Sequence, residues 1–278
     1  MAQSATWDFY VLEYARSKNQ PWVDLVAGMY DDGVMDLPFS FVLLQRDGRN
    51  VLVDTGFMRQ GDDPGFSGKF GVPEWMSPIR LLAAMDVRPG DVSDIVITHA
   101  HFDHMGSIGE FPNADIHIQK RELLSCYELF ALPKRFSHLT AIVDPDSMRA
   151  ALDASFEHRI HLIDGDRDDI LPGVHARLGC GHTFGHQFVV VETAAGRRVV
   201  SGDCLYSRSQ IAGRGGDGVY VPLNNAIGSA WDQLNTIDKV NDEIGGDLSR
   251  LVVLHDIDRW KGLPVVKEVE GFRIVKVA

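Results

Sequence analysis

The 278-residue chain predicts an α/β fold in which strands and helices stack in layers. Three observations carry that prediction. Short runs rich in β-branched and aromatic residues alternate along the chain with stretches of helical spacing. Four of the strand-like runs end in polar clusters, at 99–104, His182, Asp203 and His255. Side chains delivered from neighbouring strand ends converge on one edge of a layered fold. The length suits a single domain over 1–278, with residues 1–38 as an N-terminal extension or strand, and is enough to bury a sizeable core.

The elements follow in order. Residues 7–14 read as a first strand, and a segment bearing Gly and Asp at 28–36 leads to a second at 39–44. Arg46-Asp47-Gly48-Arg49 is a hairpin turn, because Asp-Gly tolerates the left-handed backbone that a two-residue turn requires. The returning strand at 51–53 ends in Asp54-Thr55-Gly56. Residues 57–78 form a surface loop and candidate lid, carrying Phe57, Phe66, Phe70, Trp75 and Met76 as candidate pocket-lining or loop-packing residues. Helical spacing over 79–85 is broken at Pro89-Gly90-Asp91, before a short buried strand at 94–97. A strand at 114–118 and a helix at 120–129 come next. From 131 to 153 the pattern is least regular, and substrate specificity or subunit contact is its expected role. Strands return at 159–163, 174–178, 188–192 and 198–201. Leu234, Ile237, Val240 and Ile244 place an apolar stripe on a helix over 231–244. The last buried strand, 251–254, delivers His255-Asp256.

Composition excludes several classes. Lys plus Arg is 27 against 39 for Asp plus Glu, a net charge of −12 that disfavours nucleic acid or an anionic membrane as partner. No apolar run approaches the roughly 20 residues that span a bilayer. No basic leader with an apolar stretch is visible at the start, and Cys126, Cys180 and Cys204 are odd in number and widely spaced. A cytoplasmic enzyme is the expectation.

The chemistry centres on Thr98-His99-Ala100-His101-Phe102-Asp103-His104, three imidazoles and a carboxylate within six residues. In extended backbone alternate residues point the same way, so His99 and His101 can reach one metal together. The following turn re-aims Asp103 and His104, which can serve a second. Neutral imidazole and carboxylate suit Zn²⁺ or a similar first-row cation. The bland alternative, a polar His-rich loop, leaves the full His-X-His-X-Asp-His string unexplained. Cys204 is read as a small buried thiol. His186 is read as a ring supporting the fold or a neighbouring ligand, and His117, His138, His158, His161 and His175 as structural or surface residues.

With Asp54-Thr55-Gly56, the 99–104 string, Gly181-His182-Thr183, Gly202-Asp203 and His255-Asp256 arriving in that order, the chain resembles the metallo-β-lactamase superfamily, and within it the acyl-homoserine lactonase-like branch. The resemblance covers roughly residues 39 to 258. It implies an αββα sandwich of two mixed sheets flanked by helices, with two zinc ions at one edge. Carried over by position, His99, His101 and His182 would bind one metal, Asp103, His104 and His255 the other, and Asp203 both. Asp54 would orient a ligand imidazole. Five imidazoles and two carboxylates exceed what one tetrahedral zinc takes and suit two open sites.

The implied reaction is lactone opening by a hydroxide shared between the two metals, the substrate being an acyl-homoserine lactone or a small catabolic lactone. Tyr206 would assist at the carbonyl oxygen, and Asp103 would also shuttle the leaving group's proton. Asn224 and Asn225 are expected to hydrogen-bond a polar ring. A glyoxalase II-like thioesterase shares the ligand set, and a cyclic amide or other specialised ester also fits. His101 where a diiron oxidoreductase would carry Glu argues against that class, and Asp203 argues against a true β-lactamase. The acidic chain shows no basic platform for a phosphodiesterase or ribonuclease. A monomer or homodimer is expected.

Overall fold

A computed structural model describes residues 5–30, 32–59, 68, 71–258 and 260–278. Strands β1 (Asp8–Pro21), β2 (Val34–Arg46), β3 (Arg49–Val53), β4 (Glu74–Trp75), β5 (Val92–Val96), β6 (Asp115–Gln119) and β7 (Ile160–Ile163) precede a second set. That set is β8 (Arg167–Leu171), β9 (Val174–Leu178), β10 (Gln187–Val191), β11 (Arg198–Val200) and β12 (Leu251–Val252), followed by β13 (Val265–Val269) and β14 (Phe272–Lys276). One sheet runs β13-β14-β1-β2-β3-β5-β6-β7, with β4 also paired to β1; the other runs β12-β11-β10-β9-β8.

Alternation along the strands sorts side chains into layers. In β2, Phe41 and Leu43 face helices Pro78–Ala84 and Lys120–Ala131 across one core. Val42 and Leu44 face the second sheet, whose Val174, Val189, Val191 and Val200 meet them. On that sheet's far side, Phe188, Val190 and Val199 pack on Ile237, Val240 and Ile244 of the Ala230–Ile244 helix. The result is the αββα sandwich. β3, β5, β6 and β7 are parallel neighbours, so crossovers join them, and the outer helices lie in those connections.

The Asp47-Gly48 turn forms as expected, with φ of 49° and 77°. Several elements differ from what the pattern predicts. β1 continues to Pro21 through a polar stretch, because β2 on one side and β4 on the other take its backbone hydrogen bonds. It lies inside the large sheet, flanked by β2 and β14. Pro145–Phe156 is a regular helix that begins inside the segment read as irregular and runs past its end, started by Asp144, whose side chain accepts from the Asp146 N–H. β8, β13 and β14 carry charged residues that mask their alternation, and β12 is only two residues long. The lid expected over 57–78 falls partly on residues 60–67, 69 and 70, outside the described residues, and Phe66 and Phe70 lie there. Phe57 and Met76 are buried, and Phe57 packs on Tyr14, Trp75 and Phe102. Phe57, Trp75 and Met76 thus pack in the core, and none of them lines the cavity described below.

Among the described residues no helix is long and apolar enough to cross a membrane.

Candidate metal centre

Four strand ends meet at one rim of the sandwich. β5 leads into Thr98–His104, β9 into the loop holding His182, β11 into Gly202-Asp203, and β12 toward His255. Gly202 adopts φ +54°, and a Cβ there would lie 2.5 Å from His186 Nε2, so glycine lets Asp203 turn inward.

The seven side chains sort into two groups that share one carboxylate. In the first, His101 Nδ1 lies 2.9 Å from His99 Nε2 and 3.1 Å from His182 Nε2, and Asp203 Oδ2 stands 3.6 Å from His182 and 4.0 Å from His99. In the second, Asp203 Oδ1 is 3.2 Å from both His104 Nε2 and His255 Nε2, and Asp103 Oδ2 is 3.3 Å and 3.4 Å from the same two atoms. Within each group the candidate donor atoms all lie within 4.8 Å of one another. Ligands 2.0–2.1 Å from a tetrahedral ion sit about 3.3 Å apart, which matches this spacing.

Outer contacts orient the rings. Asp54 takes the Thr98 N–H at 2.7 Å and hydroxyl at 2.8 Å, and its Oδ2 also meets His104 Nδ1 at 2.8 Å. Asp54 does this from a left-handed backbone, φ 62°. His255 Nδ1 donates to the Pro38 carbonyl at 2.7 Å, so its Nε2 faces the site. His186, not a member of either group, accepts the Asp203 N–H at 3.0 Å on Nε2 and so supports the shared carboxylate. Tyr206 donates to Asp203 Oδ2 at 2.6 Å, and its ring stacks on His255.

The electrostatics fit bound cations. Burial, with neighbouring imidazoles, pushes His99 and His101 well down, and burial brings His182 to about 4, so all three present neutral rings. Burial opposes charge on Asp203 and Asp103, yet the adjacent His104 and His255 hold both far below the usual carboxylate range. Conversely His104 and His255, despite burial, are raised by those carboxylates, His255 to about 9. Protons on two buried rings thus balance the carboxylate charge, as a metal ion would. Asp203 Oδ1 and His182 Nδ1 are buried and accept or donate no hydrogen bond of good geometry. The donor set and the orphaned oxygen suit divalent metal.

A cavity of about 140 Å³ opens over the groups, bounded by Phe39, His101, Asp103, Tyr206, Asn225 and His255. Asn225 donates to Tyr206 Oη at 3.0 Å. Asn224 instead donates to the Val23 carbonyl at 2.6 Å and is absent from the cavity wall. Cys204 is buried with its thiol on the Ser201 carbonyl. His117 bonds Asp94 and stacks on the exposed His161, away from the rim. Residues the sequence reading missed are Phe39, edge-on to His255; Tyr14, whose hydroxyl donates to the Asp103 carbonyl at 2.8 Å; and Glu122. A Glu beside Leu123 and Cys126 on the inward face of a helix was the available signal for the last.

Comparison with known proteins agrees. A model of the metallo-beta-lactamase superfamily matches residues 37–244. An N-acyl homoserine lactonase of Bacillus cereus is 26% identical over 248 residues, covering 84% of this chain and 88% of that one. A probable metallo-hydrolase of Mycobacterium tuberculosis is 33% identical over 191 residues, covering 62% of this chain and 58% of its own. A solved quorum-quenching N-acyl homoserine lactone lactonase superposes with a TM-score of 0.71 at 20% identity, over 96% of this chain and 98% of that one, a likeness of fold. From the match over most of its length and the histidine-aspartate rim, the chain belongs to the metallo-beta-lactamase superfamily of hydrolases, and N-acyl homoserine lactonases are among its relatives.

Proposed function

We propose that the protein is a dinuclear zinc hydrolase that opens a lactone ring. The observation that carries this reading is Asp203, whose two oxygens are divided between the two groups. His99, His101 and His182 would hold one cation, and Asp103, His104 and His255 the other. Asp203 would touch both. Bound there, two divalent cations supply an activated water and a Lewis acid at neutral pH.

The chain's own residues do the rest. Burial and the Asp203 charge raise the Tyr206 phenol well above its ordinary value, so it remains an O–H donor beside the cavity. We assign this one proton, which in this structure goes to Asp203 Oδ2, to the substrate's carbonyl oxygen, toward which it would turn as negative charge develops there. Asn225 holds the Tyr206 oxygen in place. Asp103, on the cavity wall, is assigned the proton passed to the leaving alkoxide. Leu25, Leu37, Phe102 and Ile142 give the wall an apolar stretch, beside the polar Ser17 and Gln20, that would shield an acyl substituent from water.

Among the described residues, no Lys or Arg lines the cavity. A thioester of an anionic carrier would lack a cationic partner there, which favours an uncharged lactone over the glyoxalase II-like reading. The Bacillus relative's name, N-acyl homoserine lactonase, points the same way, and the solved lactonase of the same fold is described as quorum-quenching, the activity we propose here. Three free cysteines, two of them buried, suit a reducing cytoplasm, and a monomer or homodimer is our working assembly.

The test is acid release by the zinc-loaded protein. The panel runs from γ-butyrolactone to long-chain acyl-homoserine lactones, with a thioester alongside and Asp203→Ala as the blank. Metal-dependent opening of any lactone is expected. Turnover of the thioester alone would overturn the proposal, and silence on both would redirect it to a cyclic amide or specialised ester.

A further inference from the structure

Glu122 lies outside both groups, yet it joins two of the loops that carry them. Its side chain is 1% exposed and receives three hydrogen bonds. Oε1 accepts from the Ala100 N–H at 2.9 Å, and Oε2 accepts from the Thr183 hydroxyl at 2.7 Å and the Gly185 N–H at 2.9 Å. Ala100 stands between His99 and His101, while Thr183 and Gly185 follow His182. A Cβ on Gly185 would collide with the Glu122 backbone nitrogen, so glycine is what allows this loop to lie on the helix. All three partners are donors, and an ionised carboxylate, acceptor on both oxygens, is the side chain that satisfies them.

The second group has other supports. Asp54 meets His104, the Pro38 carbonyl meets His255, and the Tyr206 ring covers His255. The Thr55 N–H also donates to the His104 carbonyl at 2.7 Å. We propose that Glu122 is a positioning residue that holds the His99–His101–His182 group and not the other, so that one cation depends on it and the second does not. This rests on the two-cation reading above.

Glu122→Gln tests it with little change of shape. A carboxamide turns one acceptor into a donor, which must then face Ala100 or the Thr183–Gly185 pair. After dialysis against a mild chelator, the wild type is expected to keep two zinc ions per chain and E122Q one. Affinity for the weaker ion should fall by about 10–100-fold, the range for residues that orient metal ligands. In the E122Q background, His182→Ala should release nothing further, whereas His255→Ala should release the remaining ion. Thr183→Val, which removes one of the three donors, should weaken the same ion by a smaller factor, and it carries the test if E122Q does not fold. A merely structural Glu122 would lower the melting temperature and leave both ions bound, which overturns the proposal. Loss of both ions together overturns it as well. A wild type holding fewer than two ions would overturn the two-cation reading, and this proposal with it.

Discussion

Asp103 is divided between backbone and side chain. Its carbonyl accepts a hydrogen bond from the Tyr14 hydroxyl, while its carboxylate stands 3.3 Å and 3.4 Å from His104 and His255 and reaches the cavity wall. Asp103→Asn keeps an oxygen for a cation but cannot carry a proton as a carboxylate does. Turnover should fall by roughly 100-fold or more, the usual worth of a general acid-base group, with a smaller loss of zinc. Paired kcat and metal analyses on one preparation check this, and an equal fall in both would leave Asp103 as a ligand alone. Tyr14→Phe retains the ring contacts with Phe39, Phe41 and Phe57 but strands a buried carbonyl. A loss of about 1–3 kcal/mol in urea unfolding is expected. Four of the seven candidate ligands were legible because their spacing is local, six positions of one loop, and His182, Asp203 and His255 because each follows a strand-like run. Tyr14 and Glu122 were not, because they act from 89 and 22 residues away and carry no local pattern.

Elements were legible where one face alone is buried. The 231–244 stripe announces its helix, and Ser229 adds a capping box while Gly245, at φ 63°, ends it. Ile237 of that helix is fully buried against the second sheet, so Ile237→Ala should cost about 2–5 kcal/mol, read as a lowered urea midpoint. β8 and β13 hid because most of their side chains are exposed, charged ones among them, and no buried face sets an alternation. β5 shows a different economy of charge. Asp94 is buried, which would raise it, but His117 of β6 at 3.1 Å, Ser93 at 2.6 Å and Arg49 of β3 at 2.8 Å bring it down to about 2. A depressed carboxylate stabilises the fold above its ordinary value of 3.8 and loses that contribution as the pH falls toward about 2. The contribution is on the order of 2 kcal/mol. The stability gap between wild type and Asp94→Asn, followed by denaturant titration, should therefore be full at pH 6 and shrink between pH 4 and pH 2. A gap that ignores pH would refute the assignment.

The whole molecule is held at its functional rim by side chains from both sheets. β5 of the large sheet supplies four of the seven, and the second sheet supplies His182, Asp203 and His255. Metal bound there would tie the sheets together, and stripping it with a chelator should lower the thermal midpoint, with recovery on adding zinc back. An unchanged midpoint would mean that the valine layer between the sheets suffices alone. Architecture of this kind was legible only as a direction of argument, since strand ends were visible but their order in two sheets was not. That order has a temporal consequence. β1 pairs with β14, Tyr10 opposite Lys276, positions 266 apart in the chain. At roughly 5–20 residues per second of synthesis, the first strand waits tens of seconds on the ribosome for its outer neighbour. Until then the growing chain presents an unpaired edge, and its protection falls to chaperones or to speed of translation rather than to the finished fold.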